Sequence, residues 1–224
     1  MKIKTLAIAA ATLAVGAITS QAQVYSQNVV GYVNQVCSSN TYYLLCNPLT
    51  TGNDVITNVI LTPPGGSVAL IWNGAGYTTY TYAGKSHAWL DGSSHTNNNI
   101  PLPPGVGFFY YPAANTTNTY SGQVACNTGG GTVTNTISAL LTPKGSIIPY
   151  GDVVTNSATF NLTVPGATVM QYWNIGSQSF TTLTYAGKSH VWLDSSSHTN
   201  NPTIPVGQAF FLSGGATNWV QTLQ

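Results

Sequence analysis

The feature that most constrains this chain is a long and nearly exact internal repeat. Residues 77–98 read YTTYTYAGKSHAWLDGSSHTNN and residues 180–201 read FTTLTYAGKSHVWLDSSSHTNN, which match at 18 of 22 positions without a gap. The similarity extends upstream to Trp72 and Trp173, with two extra residues in the second loop. Self-similarity at this period indicates two similar units, one after the other. We therefore expect a first copy over residues 23–121 and a second copy over residues 122–224, joined near the glycine-rich stretch CNTGGG.

Both copies show the patterns of β-strands. Ser67–Trp72 and Tyr77–Tyr82 flank Asn73-Gly74-Ala75-Gly76, which is a strong hairpin signal. Val106–Tyr111 and Gln208–Leu212 are short apolar runs behind turns that contain proline and glycine, as expected of core strands. The sequence thus predicts an all-β chain of two tandem homologous repeats with pseudo-twofold symmetry. Each repeat would be a small β-sandwich or half-open barrel of about six strands.

The sequence also predicts three local features. The apolar pairs Leu44-Leu45 and Ile147-Ile148 are matched as equivalent positions of the two copies. A strand over Thr119–Ala125 is expected to close one copy and open the next. Asp54 is expected to cap one short helical turn over the following residues, because aspartate is a favoured N-cap residue.

The N-terminus has the layout of a secretory signal peptide. Lys2 and Lys4 precede an almost wholly apolar segment, Leu6–Ile18, and Ser20-Gln21-Ala22 places small residues at the −3 and −1 positions of a cleavage site. The apolar segment is too short to be a membrane-spanning helix. We therefore expect residues 1–22 to be removed and the mature protein to be secreted, either extracellular or in the periplasm or at the cell surface.

Charge is scarce in the remaining chain. After residue 22 it holds three lysines and four aspartates, with no arginine or glutamate. Nucleic-acid binding requires several cations that neutralise phosphates, so this composition argues against a nucleic-acid partner. No later apolar stretch reaches the length of a bilayer span, so membrane insertion after signal cleavage is not expected.

Three cysteines follow the signal peptide: Cys37, Cys46 and Cys126. In an oxidising compartment, three cysteines favour one disulfide and one free thiol. A tight turn between Cys37 and Cys46 would set them out of register, so a bond from Cys126 to Cys37 or to Cys46 is expected instead. The alternative is three buried thiols without a bond.

The chain also resembles a known group of proteins. The residues that carry the resemblance are the opening VYSQNVVGYVN, the segments LLCNPL, IWNGAGY and PPGVGFF, and the ending PVGQAFFLSGGATNWVQTL. Together they resemble duplicated, secreted, β-rich proteins of unassigned function found in Verrucomicrobia-type bacteria. The resemblance implies export, duplication and β architecture, and it implies no active site.

The repeated segment also holds every histidine of the chain. Each copy has the pattern His-x3-Asp-x3-His, and the residues are His87, Asp91 and His95, then His190, Asp194 and His198. Imidazole and carboxylate groups are ligands of zinc and other divalent metals, so a metal site is one hypothesis. The surrounding serines, threonines and asparagines indicate a loop. In the alternative interpretation, the aspartates cap turns and the histidines bond to loop carbonyls.

Aromatic residues suggest a second kind of site in the same segment. Trp89 and Trp192 lie near Tyr82 and Tyr185, and an exposed indole is a platform for a sugar ring. The alternative is that both tryptophans fill the cores of their copies. No motif of a catalytic nucleophile is present, so no catalytic residue and no obligatory cofactor are expected. The leading functional hypothesis is a non-enzymatic structural or adhesive protein with polysaccharide or other envelope components as partners. Carbohydrate binding is the second hypothesis and metal binding is the third.

Overall fold

The computed structural model describes residues 30–126, 131–155 and 158–223. The predicted signal peptide and most of the glycine-rich link lie outside the described residues. The first copy contains the strands β1 Val30–Cys37, β2 Tyr43–Cys46, β3 Val68–Trp72, β4 Tyr77–Ala83, β5 Ala88–Leu90, β6 Gly107–Tyr111 and β7 Thr116–Gln123, and the helix α1 Ile56–Val59. The second copy contains β8 Thr132–Ile137, β9 Thr142–Gly145, β10 Asp152–Val153, β11 Val169–Asn174, β12 Ser179–Ala186, β13 Val191–Leu193, β14 Thr203–Ile204, β15 Ala209–Ser213 and β16 Thr217–Thr222.

The two copies have matching sheets. Five antiparallel strands in the order β2-β6-β3-β4-β5 form the sheet of the first copy, and β9-β15-β11-β12-β13 form that of the second. Each copy adds a two-stranded ribbon, β1 with β7 and β8 with β16, and the second copy also pairs β10 with β14. The predicted all-β, duplicated architecture is confirmed. No helix in the described part of the chain is long and apolar enough to cross a membrane.

The hairpin and the core strands predicted from sequence are also confirmed. Strands β3 and β4 pair across the Asn73–Gly76 turn. Strands β6 and β15 lie inside the two sheets, with Phe108 and Phe210 fully buried. The glycine-containing turns and the short apolar runs behind them were sufficient to place these elements, because each depends on neighbouring residues only.

Three local expectations were wrong in detail. The strand predicted over Thr119–Ala125 is β7, which pairs with β1 and so closes the first copy, whereas β8 opens the second. Helix α1 has Val55 at its N-cap without a side-chain cap. Asp54 instead accepts hydrogen bonds from the Thr50 hydroxyl at 2.6 Å and the Thr51 amide at 2.9 Å. The Asp54 carboxylate therefore stabilises the turn before the helix.

The third error concerns how the two copies align. Cys46 pairs with Gly107, and in the second copy Gly145 pairs with Ala209. Because Gly107 and Ala209 occupy the same position before Phe-Phe, Leu44-Leu45 is equivalent to Pro143-Lys144 and not to Ile147-Ile148. The apolar match was misleading because β9 begins with a proline and a lysine where β2 has two leucines.

Backbone pairing joins the two copies about a pseudo-twofold axis. The Cys46 amide donates to the Gly207 carbonyl at 2.8 Å, and the equivalent Gly145 amide donates to the Gly105 carbonyl at 2.9 Å. Two equivalent bridges, Leu45 with Gln208 and Lys144 with Val106, lie beside these bonds. Each copy thus donates the same backbone hydrogen bond to the other.

Side chains from both copies pack around this axis in what we call the junction core. Its buried members are Leu44, Cys46, Phe109, Ala209 and Phe211, and Leu70, Tyr77 and Trp173 pack against them. Small residues are required on the axis itself. A Cβ added at Gly145 would overlap the Cys46 Sγ, and a Cβ added at Gly107 would lie 2.9 Å from that of Ala209. Separate cores fill the interior of each copy.

Candidate functional site

The repeated segment folds in the same way in both copies. Tyr82 on β4 pairs with Trp89 on β5, and Tyr185 on β12 pairs with Trp192 on β13. The connecting turns end at His87 and His190, which adopt positive φ values of 50° and 55°. The near-identity of the sequence therefore corresponds to near-identity of local structure.

The aspartates cap the turn that follows. Asp91 Oδ1 accepts the amide N–H groups of Ser93 at 2.9 Å and His95 at 3.0 Å. Asp194 accepts the equivalent bonds from Ser196 at 2.8 Å and His198 at 3.0 Å. The interpretation of these aspartates as turn caps is confirmed. The hydrogen bond from the His95 amide is the main cause that lowers the pKa of Asp91, against a smaller opposing effect of desolvation.

The histidines of each segment do not converge. The His87 Nδ1 lies 3.2 Å from the Tyr82 hydroxyl, whereas His95 is exposed and lies 3.7 Å from the Asp91 carboxylate. The second copy repeats both arrangements, with His190 beside Tyr185 and His198 beside Asp194. Within residues 30–126, 131–155 and 158–223, no three metal-ligating side chains come together. The loop directs its two histidines to different partners, so neither segment brings its predicted metal ligands together.

The indole platform is also not formed. Trp89 and Trp192 are both fully buried, and each packs in a tilted arrangement against the tyrosine of its own segment. Their backbone amides donate to Asn98 and Asn201, which fixes the end of the segment against β5 and β13. The tryptophans therefore fill the cores of the copies, as the alternative interpretation held.

What the segment does form is a pocket beside the tyrosine and histidine in each copy. The first pocket, of about 340 Å³, is lined by Tyr82 and His87 together with Leu61 and Thr62. The second, of about 270 Å³, is lined by the equivalent Tyr185, His190, Leu162 and Thr163. We call these the Tyr–His pockets. Both contain the hydrogen-bonded pair of a phenol and an imidazole.

Two backbone segments approach closely beside the tyrosine in each copy. Gly65 lies against Gly84 in the first copy, and Gly166 lies against Gly187 in the second. A Cβ on Gly84 would lie 2.9 Å from the Gly65 Cα, and one on Gly187 would lie 3.0 Å from the Gly166 Cα. Glycine is therefore required at this crossing, which places the Leu-Thr dipeptide next to the tyrosine.

The lining of each Tyr–His pocket combines polar and apolar side chains and includes no lysine or aspartate among the described residues. Each offers a tyrosine hydroxyl, a histidine nitrogen and a threonine hydroxyl, which can donate or accept hydrogen bonds. The indole N–H groups of Trp89 and Trp192 are buried nearby without a hydrogen-bond partner among the described residues. Sequence reasoning found the tyrosines and histidines but missed Leu61-Thr62 and Leu162-Thr163. Their only sequence signal is that both copies carry the same dipeptide upstream of the repeated segment.

The predicted disulfide is not formed. Cys37, Cys46 and Cys126 are all free thiols, and the first two are buried. Desolvation by burial raises the pKa of both Cys37 and Cys46 to about 12. Cys46 lies in the junction core and Cys37 in the core of the first copy, so each behaves as a small apolar side chain.

Comparison of the chain with protein-family models, with curated proteins and with solved structures gave no match.

Proposed function

We propose that the protein is a secreted, non-enzymatic adhesive protein that holds a polysaccharide through its two Tyr–His pockets. The observation that carries this proposal is the presence of the same pocket, with the same phenol–imidazole pair, in both copies. A tyrosine, a histidine, a leucine and a threonine recur in both pockets, although other lining residues differ, as Ile60 and the equivalent Asn161 do.

The chemistry of the pockets suits a sugar unit. Their volumes of about 340 and 270 Å³ lie near the lower end of the range of small-molecule sites, about 300–1,000 Å³. Hydroxyl groups of a sugar both donate and accept hydrogen bonds, and so do tyrosine, histidine and threonine. A leucine in each pocket supplies an apolar surface for the carbon atoms of the ring.

Duplication favours a polymer as the ligand. Two sites on one rigid body convert the second binding event into an intramolecular one, which raises the avidity for a repeating ligand by about 10²–10⁴. The copies are joined by backbone pairing and by the junction core, so the relative position of the two pockets is fixed. The two pockets together can therefore hold a polysaccharide even when each binds a single sugar unit weakly.

The test is a glycan array with the purified mature protein, followed by calorimetry with an oligosaccharide that binds. We expect two sites per chain, one site in Tyr82→Phe or Tyr185→Phe, and none in the double variant. Removing the hydroxyl keeps the buried ring, so the variants should fold. Tyr32→Phe is the matched control, because Tyr32 is 74% exposed on β1.

A stoichiometry of two that persists in the double variant would show that the sugar binds elsewhere. The absence of binding to any glycan would contradict the proposal as a whole. Export is tested separately by N-terminal sequencing of the protein recovered outside the cytoplasm. We expect the first residue to be Gln23, and an intact Met1 would contradict secretion through this signal.

A further inference from the structure

The two Tyr–His pockets differ in the loop that contributes the leucine and the threonine. In the first copy Ile60 is buried, and the next residue, Leu61, is 48% exposed. In the second copy the equivalent Asn161 is exposed, and the next residue, Leu162, is only 6% exposed. The inward and outward positions of the loop are therefore exchanged between the copies.

The backbone conformation of one residue explains this exchange. Asn161 has a φ of 47°, in the left-handed region that asparagine adopts more readily than most residues. Its side-chain amide donates to the Val220 carbonyl at 3.1 Å, which holds the residue at the surface. Ile60 has a φ of −117° and packs in the core of the first copy, and a β-branched residue strongly disfavours a positive φ. The residue at this position therefore decides whether the following leucine is exposed, as Leu61 is, or buried in the core, as Leu162 is.

The exchange gives the two pockets different accessible walls. In the first pocket, of about 340 Å³, the exposed side chain of Leu61 is part of the lining. In the second pocket, of about 270 Å³, the exposed side chain of Asn161 is part of the lining, and the leucine is almost wholly buried. Beside the same phenol–imidazole pair, one pocket thus presents an alkyl group and the other a carboxamide.

We propose that the two pockets select different sugar units of one polysaccharide. The first pocket takes a unit that carries a methyl-bearing group, as 6-deoxy and N-acetyl sugars do. The second pocket takes a unit that carries hydroxyl groups only. This inference rests on the proposed function, and it narrows the ligand to a polysaccharide with two kinds of unit.

The chemistry of the two walls is the reason for this selection. Burial of one methyl-sized group against Leu61 increases the affinity by about fourfold. A hydroxymethyl group at the same place gives up hydrogen bonds to water and finds no polar partner on the leucine. In the second pocket the Asn161 carboxamide can bond to a sugar hydroxyl, so the preference for a methyl group is lost.

The test measures the binding of matched sugars to variants that keep a single pocket. Tyr185→Phe keeps the first pocket, and Tyr82→Phe keeps the second. The probes are pairs that differ in one methyl-bearing group: L-fucose with L-galactose, L-rhamnose with L-mannose, and N-acetylglucosamine with glucose. With Tyr185→Phe we expect the methyl-bearing sugar of a pair to bind about fourfold more tightly in an NMR titration. With Tyr82→Phe we expect equal binding or a preference for the sugar that has only hydroxyl groups.

Leu61→Asn tests the origin of the preference. In the Tyr185→Phe background this change should abolish the preference, because an amide replaces the alkyl surface. Leu140→Asn in the same background is the matched control, since Leu140 is 71% exposed and lines neither pocket, and it should leave the preference unchanged. Leu61→Ala makes the same test if the asparagine variant does not fold.

The outcomes separate this inference from the proposed function. A methyl preference that is confined to the first pocket and depends on Leu61 supports both. If a glycan binds but neither single-pocket variant distinguishes any pair, or if both Leu61 variants keep the preference, this inference is wrong and the proposed function stands. Binding that persists when both tyrosines are replaced, or no binding of any glycan, would overturn the proposed function and this inference with it.

Discussion

The cores of the two copies have the same backbone plan but different chemistry. At four buried positions of the first copy, three in its core and one in the junction core, burial raises the pKa of a thiol or a phenol. The second copy holds no thiol or phenol at the equivalent positions. The pairs are Cys37 and Ile137, Cys46 and Gly145, Tyr110 and Leu212, and Tyr120 and Gln221. One fold thus tolerates either set, provided that each buried position is filled and the pairing of the strands is kept.

The buried thiols and phenols of the first copy make the stability of the folded state depend on pH. Burial raises the pKa of Cys37, Cys46 and Tyr110 to about 12, and it raises that of Tyr120 further. Groups with raised pKa values stabilise the folded state fully below their ordinary pKa and lose this contribution as pH rises through the folded value. The first copy is therefore expected to lose stability at alkaline pH, and the equivalent positions of the second copy hold no group that would cause the same loss.

The largest expected effect is alkaline unfolding that begins in the first copy. Between pH 9, where thiols ordinarily ionise, and about pH 12, its buried thiols and phenols are forced toward their charged forms. We expect Tyr120→Phe to move the transition, followed by circular dichroism and tyrosinate absorbance, to higher pH. Tyr32→Phe is the exposed control. A transition that is unchanged by Tyr120→Phe would contradict this difference between the cores.

The second prediction compares the tryptophans that fill the cores. Trp89→Ala and Trp192→Ala should each lower the free energy of unfolding by about 3–5 kcal/mol, because both side chains are fully buried. Urea unfolding followed by circular dichroism measures this loss. Surface substitutions typically change the free energy of unfolding by about 0.5 kcal/mol or less. A loss this small in either variant would show that the tryptophan is not part of the core.

The third prediction tests the pseudo-twofold axis. Gly145→Ala would place a Cβ against the Cys46 side chain and should destabilise the protein by about 1–3 kcal/mol. The Cys46→Gly substitution removes the side chain that it meets. The double variant should therefore be more stable than the sum of the two single changes predicts. Additive losses would indicate that the two positions do not share the axis.

The smallest expected effect compares Trp72 with Trp173. Trp173→Phe loses a hydrogen bond to Tyr42, whereas Trp72→Phe removes an unpaired donor. Both lose similar apolar area, so Trp173→Phe should be the less stable variant by about 1 kcal/mol in urea unfolding. Equal stability of the two variants would mean that both indole N–H groups have equally good hydrogen-bond partners in solution.

Features that depend on neighbouring residues were predicted well. The hairpin around Asn73–Gly76 and the turns capped by Asp91 and Asp194 follow from glycine conformation and from side chains that bond to their own loop. The alignment of Leu44-Leu45 failed, because register is decided by the partner strand and not by local apolarity. The prediction of a disulfide was wrong for a similar reason, because the number of cysteines does not determine the distances between them in the folded chain.

The repeat by itself determined that the protein is two copies of one β unit, because identical sequences form identical local structures. Only the tertiary structure decided which side chains of the repeat are buried and which of them meet. It buried Trp89 and Trp192, separated His87 from His95, and brought Leu61-Thr62 beside Tyr82 to form a pocket. Residues far apart in sequence meet only when sheets pack. Exposure and convergence are therefore properties of the whole fold, and the pattern of the repeated segment did not contain them.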